Sequence, residues 1–374
     1  MTTRRLYHVP LGGAAFIVVT ILLGVASAYR PNNLLVWTFA AMLAGVLVSG
    51  VISGGMLVRL AVTRLDPRPG RVGEPLAIRY LVRHRARWWP LFDLSIEEAP
   101  LASAGGWSNA GKCSPAWLLH AGPGESAHVE GVFMPSRRGR FRFESIRAAS
   151  SFPFGLLRKV VVFRQPMEFL VFPRVRALRA GVLRSLAPHG IGGVRTSRDA
   201  GPGEDFLGVR EYRPGDSPRQ IAWRRRAGLD DLATIERSTP SPPRLRVVLD
   251  LSRPTSALRV ADGAARSGRD LEEDAITLAA SLLLAAEREG YEHSLELLGF
   301  EAPRPPLRRG HWHLQRLMAV LAGVDLDRPR TTIPRADREE RAATVFVHVD
   351  RVELTADRPD AIHLSATRLE DLVA

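Results

Sequence analysis

Apolar residues run along this chain in three rhythms, and each predicts a different kind of element. Leu11 to Tyr29 is a nearly unbroken apolar run, and Leu34 to Val58 is a second. Each reaches the roughly 20 residues that cross about 30 Å of hydrocarbon. Between them Arg30-Pro31-Asn32-Asn33 is a short polar turn containing a helix-stopping proline. Residues 1–60 are therefore expected to form a transmembrane helical hairpin. A cleaved signal peptide is disfavoured, because a second span would remain and no small-residue cleavage site precedes Arg30. In the second span Ala41, Gly45, Ser49 and Ser53 recur every fourth residue, with Gly50 and Gly54 alongside. That spacing lets another helix approach closely, with the first span as the expected partner.

From about Val62 the rhythm shortens to two. Leu76, Ile78, Tyr80 and Val82 alternate with polar residues, and further short runs follow at Phe141 to Ile146, Leu157 to Phe163 and Phe169 to Phe172. Gly and Pro cluster between them, at Pro67-Arg-Pro-Gly70 and Ala121-Gly-Pro-Gly124. Short strands so spaced predict an antiparallel β-sandwich, immunoglobulin-like, over residues 61–178. Phe152 and Phe154 are expected to plug its core. Residues 179–204 are rich in Gly, Pro, Ser and Arg without sustained periodicity, and read as an exposed linker.

Residues 205–374 show the third rhythm, strands alternating with helices. Arg246-Val-Val-Leu-Asp-Leu-Ser252 reads as a buried strand delivering Asp250 to its carboxyl end, where open α/β sheets place their crevice. Asp270 with Glu273 looks like a capping box opening a helix of 3.6 period that stops at Gly290. Strands at Ser294 to Phe300, Thr344 to Val349 and Ala361 to Leu364, and a helix at Leu314 to Leu321, complete a doubly wound parallel sheet.

Charge and composition narrow the functional classes. The formal net charge is +13, and lysine occurs only at Lys112 and Lys159. The arginines are spread along the chain without aromatic interleaving, so a nucleic-acid platform is not indicated. Arg4, Arg5 and His8 precede the first span and Arg59, Arg64, Arg68 and Arg71 follow the second, while the turn holds Arg30. The positive-inside rule then places both ends, and the soluble domains, in the cytoplasm. Cys113 is the sole cysteine, which excludes an intramolecular disulfide, and it is expected to be an incidental thiol. His311 and His313 lie two apart on a helix start, too divergent for one ion, and read as surface or capping histidines. No HExxH, Gly-x-Ser-x-Gly or Walker sequence occurs.

The densest chemistry is Asp205-Phe-Leu-Gly-Val-Arg-Glu-Tyr-Arg-Pro-Gly-Asp-Ser-Pro-Arg-Gln-Ile-Ala-Trp223. Val209, Glu211 and Arg213 alternate with Arg210 and Tyr212 as on a strand, and Arg213-Pro-Gly-Asp216 closes a turn. Arginine forks pair in bidentate fashion with carboxylates, so Arg210, Arg213 and Arg219 are expected to engage Asp205, Glu211 and Asp216. Ile221 and Trp223 share a face that can bury. The network is either a structural staple or a docking surface.

This signature, the strand ending at Asp250, Arg138-Gly-Arg-Phe-Arg-Phe143 and Ser151-Phe-Pro-Phe-Gly-Leu-Leu157 together resemble the bacterial family called domain of unknown function (DUF) 58. The resemblance implies a protein of the inner membrane whose C-terminal part is a von Willebrand factor A-like domain. It also implies association with a MoxR-type AAA+ ATPase, as a non-enzymatic scaffold in assembly or maturation of other proteins. Arg224-Arg-Arg-Ala-Gly228 departs from the family's Ser-Ala-Arg-like pattern. A-type domains bind magnesium through Asp-x-Ser-x-Ser. Here Asp250 and Ser252 match, Pro254 replaces the third ligand, Thr255 and Ser256 are out of phase, and Asp350 is a distal candidate. The alternatives are a metal-dependent hydrolase using Asp250 and Asp350, and a structural envelope protein without an ATPase partner.

Overall fold

The structure, a computed structural model, describes residues 3–29, 32–65, 68–98, 111–185, 195–200, 206–223, 233–258, 267–331, 342–350 and 361–374. The chain divides into two compact units, Met1–Pro173 and Arg174–Ala374.

Unit 1 begins with a strand that the apolar pattern does not announce. β1 (Thr3–His8) precedes helices α1 (Leu11–Tyr29) and α2 (Asn33–Met56). Both helices are long and apolar enough to cross a membrane. Leu11, Leu22, Trp37 and Leu47 project from them well exposed. The Asn32 side chain accepts from the Leu34 N–H at 3.0 Å and caps α2. The strands β2 (Leu60–Arg64), β3 (Gly70–Arg71), β4 (Leu76–His84), β5 (Leu91–Glu98), β6 (Gly111–Ser114), β7 (Ala116–Ala121), β8 (Ser126–Pro135), β9 (Gly139–Ser150) and β10 (Arg158–Phe172) follow.

They form two sheets. One runs β1-β10-β9-β5-β7, with β3 pairing parallel to the end of β10; the other runs β2-β4-β8-β6. β1 pairs antiparallel with β10, from Thr3 opposite Phe163 to His8 opposite Arg158. The sandwich is thus entered before the first helix and resumed after the second. Ile78, Tyr80 and Val82 from β4 meet Leu94, Ile96, Phe143 and Ile146 from the other sheet in one core. Phe133 sits edge-on to Phe143 and Phe169, with ring centres 5.8 Å from each. Met56 and Leu57, at the end of α2, belong to that same core. Full burial of such a side chain is worth about 1.5–3 kcal/mol, enough to lock the helix end to the sandwich.

Three expectations change here. Phe152 does pack, stacking on Phe92 at 4.7 Å, but Phe154 is 60% exposed. Arg64, expected as a membrane-flanking cation, is buried inside the sandwich and paired with Glu98. In the small-residue stripe of α2, a Cβ on Gly45 would meet nothing within 4 Å, so that position carries no close helix approach. A Cβ on Gly54 would meet the Lys159 ammonium, whereas the tight approach between the helices is Gly24 of α1 against Phe39 of α2. Cys113 is half-buried, and burial pushes its thiol up to about 11, so it stays protonated and unreactive.

Unit 2 opens with a short helix, α3 (Val182–Ser185), and a sheet ordered β11-β13-β12, from β11 (Arg195–Ala200), β12 (Phe206–Glu211) and β13 (Ala233–Ser241). The stretch expected as linker therefore contributes both a helical turn and a strand. A parallel sheet follows, in the order β15-β14-β16-β17, from β14 (Arg244–Asp250), β15 (Glu292–Leu298), β16 (Ala343–His348) and β17 (Ile362–Ser365). Helices α4 (Gly268–Arg288), α5 (His311–Ala322) and α6 (Leu369–Leu372) complete it. The β14 and β16 interiors are buried, as expected of strands covered on both faces, and apolar except for Arg246 and Thr344.

Helix α4 packs on β14, β15 and β16. Its cap lies three residues earlier than expected. Ser267 is the N-cap and Asp270 the third helical residue, with Ser267 Oγ accepting from the Asp270 N–H and Asp270 Oδ2 accepting from the Ser267 N–H at 2.8 Å.

Candidate functional site

β14 places Asp250 at the carboxyl end of the central strand of this sheet. Ser252, two residues on, folds back: its N–H and Oγ donate to Asp250 Oδ1 at 3.1 and 2.6 Å. The neighbouring strand supplies the other half. Register pairs Asp250 with His348, and His348 Nδ1 faces Asp250 Oδ2 at 3.4 Å. His348 Nε2 then shares a proton with Nδ1 of His363 on β17, at 2.9 Å. Phe346, His348 and His363 lie nearly parallel, with the Phe346 and His363 rings 4.9 Å apart at 10°.

The electrostatics follow from these contacts. Burial opposes ionisation of Asp250, but the hydrogen bonds from His348 and Ser252 outweigh it and hold the carboxyl at about 2. Asp250 is an anion that remains 22% exposed at the side chain. The two imidazoles form a row leading from it across β16 to the edge strand β17. Hydrogen bonds thus join the carboxylate and the two rings in one row. It is not an acyl-transfer triad. There the imidazole stands between hydroxyl and carboxylate, whereas Ser252 here bonds Asp250 directly.

The expected magnesium ligands each have a partner within the protein. Ser252 gives its hydroxyl proton to Asp250. Thr255 Oγ1 donates to Oε2 of the buried Glu272 at 2.9 Å, and Glu272 is also bonded by Arg330. Asp350 Oδ1 lies 3.4 Å from a guanidinium nitrogen of Arg253, which brings a positive charge to the mouth of the site. Pro254 has no side-chain oxygen. Among the described residues no group of three or more His, Cys, Asp or Glu could hold a metal ion. This donor set does not fit a magnesium ion, which wants near-octahedral oxygens.

The arginine signature folds into a second cluster. β12 carries Arg210, and the turn after it, closed by Asp216 N–H to the Arg213 carbonyl at 3.0 Å, returns Asp216 beneath it. Arg210 grips Asp216 with two parallel bonds of 2.8 and 2.7 Å, and its Nε donates to Glu236 of β13 at 2.8 Å. The Arg213 N–H and the Thr234 hydroxyl add bonds to Asp216 Oδ2. Arg210, then the Arg213 N–H, hold the Asp216 carboxyl well below the usual carboxylate range.

Of the residues expected here, Arg210 and Asp216 pair as foreseen. Arg213 contributes its backbone N–H, Glu211 offers its carbonyl to Arg210, Tyr212 is half-buried and Arg219 is exposed. Trp223 does not bury: it is 56% exposed, and Phe206 is 67% exposed. Asp205 and the Arg224 to Gly228 run lie outside the described residues. His311 and His313 diverge as expected, His311 contacting Gln315 and His313 donating to the His293 carbonyl at 2.9 Å.

Glu236, His348 and His363 escaped the sequence reading. A signal for the histidines exists: His348 ends the apolar run Val345–Val347, and His363 stands between Ile362 and Leu364.

No family model matches the chain. The uncharacterized protein YeaD of Bacillus subtilis (strain 168) is 24% identical over 229 residues, covering 61% of this chain and 53% of YeaD. The chain thus spans about half the length of the curated relative it matches.

Proposed function

We propose that this protein is a membrane-anchored, non-enzymatic adaptor of the DUF58 kind. In this reading α1 and α2 span the bacterial inner membrane, the immunoglobulin-like sandwich and the von Willebrand factor A-like unit lie in the cytoplasm, and the partner is a MoxR-type AAA+ ATPase. The observation that carries it is the surface around Arg210. Arg210, paired with Asp216 and Glu236, ties β12, its turn and β13 together, while Phe206 and Trp223 stand exposed on the same segment. Exposed aromatics on a rigid frame are what a protein partner buries as an anchor. The order of the parallel sheet and Asp250 at its carboxyl end agree with an A-like unit.

The test is affinity capture of the full chain from detergent-solubilised bacterial membranes. Wild type recovers an AAA+ ATPase, Trp223→Ala loses it, and Trp312→Ala, which removes another exposed tryptophan, retains it. Recovery of no AAA+ protein, or equal recovery by both variants, defeats the adaptor reading.

A further inference from the structure

One end of the sandwich carries its turns towards the helices. β1 leads into α1 after His8, and α2 returns into β2 through Leu57 to Arg59. Strand register brings the β4–β5 turn (85–90), the β7–β8 turn (122–125) and the β9–β10 turn (151–157) to this same end: Leu60 pairs with His84, Leu91 with Ala121, and Ser150 with Lys159.

Two of these turns touch the helices. A Cβ on Gly55 of α2 would come within 3.2 Å of the Trp89 indole, and one on Gly13 of α1 within 2.1 Å of the Leu156 carbonyl oxygen. Lys159 Nζ donates to the Gly50 carbonyl at 2.8 Å and sits 5.5 Å from the Tyr7 ring centre. These contacts fix a level. α1 has 19 residues, and 19 residues counted from Asn33 reach Val51, so Val51 stands level with Leu11 across the hairpin. Beyond Val51, Ser53 and Met56 are buried in protein. With α1 and α2 spanning a bilayer, the edge of the hydrocarbon would fall at Leu11 and Val51, near Gly13, Gly50, Leu156 and Lys159.

In the turns at this end two large side chains point away from the protein. Trp88 is 77% exposed and Phe154 60%. The Arg87 guanidinium carbon lies 5.5 Å from the Trp88 ring centre. The turns 57–59, 85–90, 122–125 and 151–157 hold three arginines, Arg59, Arg85 and Arg87, against one acid, Glu125, whose Oε2 is already bonded to the Gly122 N–H at 2.6 Å. In water this arrangement leaves an indole and a phenyl ring solvated. In a headgroup layer the rings meet the acyl boundary and the guanidinium groups meet lipid phosphate.

We infer that the turns bearing Trp88 and Phe154 seat the sandwich in the headgroup layer of an anionic bilayer, with Arg59, Arg85 and Arg87 on lipid phosphates. The inference rests on α1 and α2 spanning the membrane, and commits unit 1 to lie flush on the bilayer rather than to hang from it.

Single spin labels test this in the full chain, reconstituted in nanodiscs containing phosphatidylglycerol. In a Cys113→Ala background, labels are placed at Trp88→Cys, at Phe154→Cys, at Leu22→Cys within α1, and at Arg137→Cys in the exposed turn of the opposite end. Collision with oxygen against a water-soluble nickel chelate reads depth. The expected result is lipid-like exposure at 22, headgroup depth at 88 and 154, and full chelate access at 137. Chelate access at 88 and 154 equal to that at 137, with 22 still in lipid, overturns the seating alone. Chelate access at 22 overturns the spanning reading beneath it. Replacing phosphatidylglycerol by phosphatidylcholine shifts 88 and 154 outward; no shift refutes the role given to the arginines.

Discussion

Arg64 and Glu98 pair inside the sandwich with side chains 1% and 0% exposed, and removal of either is the sharpest test of what stabilises unit 1. Arg64 donates to both Glu98 oxygens, at 2.8 and 2.5 Å, and to the Gln165 carbonyl at 2.8 Å, with its guanidinium carbon 5.0 Å from the Phe143 ring centre. Tyr80 adds its hydroxyl to Glu98 at 2.8 Å. Burial, and then the Glu98 charge, push the Tyr80 phenol far above its usual range, so it stays a donor. Arg64→Leu leaves the carboxylate buried with Tyr80 but without its cation, and Glu98→Leu strands the guanidinium. Each should cost about 3–5 kcal/mol. Arg64→Leu with Glu98→Leu removes both charges and leaves the Tyr80 hydroxyl without its acceptor and the Gln165 carbonyl without its donor, about 1–3 kcal/mol each. The double variant therefore loses clearly less than the two single losses added together. Because the chain has two units, a global midpoint would mix their transitions. Denaturant-dependent hydrogen exchange of β4 and β9 amides in detergent micelles reads unit 1 directly. Additive losses in the double variant would refute the reasoning, since additivity means that the two charges do not depend on each other.

Two further outcomes follow from the parallel sheet. Asp250 at about 2 lies below the value near 3.9 of a free aspartate, so its contribution, about 2–3 kcal/mol, is present above about pH 4 and lost as pH falls towards 2. The difference in unfolding free energy between wild type and Asp250→Asn should shrink across that window, and a difference constant with pH would count against the His348 and Ser252 contacts. Titration calorimetry with magnesium should give the same heat for wild type and Asp250→Ala, because Ser252, Thr255 and Asp350 are committed to other partners. An Asp250-dependent heat would restore the metal site.

The local rhythms of the sequence were enough for the two apolar helices, the short strands with their Gly and Pro turns, and the strand that ends at Asp250. Apolar periodicity is a property of neighbouring residues, so elements and their faces can be read without knowing what they meet. The Arg210–Asp216 clamp was legible for the same reason, since six residues and one turn join its partners. Pairing across strands was not. Arg64 and Glu98, 34 residues apart, meet only because their sheets face each other, and a cation that looks like a membrane flank becomes a core residue. Asp250, His348 and His363 line up only because the sheet orders β14, β16 and β17 side by side in one register. Phe154 and Trp223 stayed outside for a related reason: an apolar side chain can be recognised in isolation, but whether it is buried depends on which surfaces the tertiary structure brings over it.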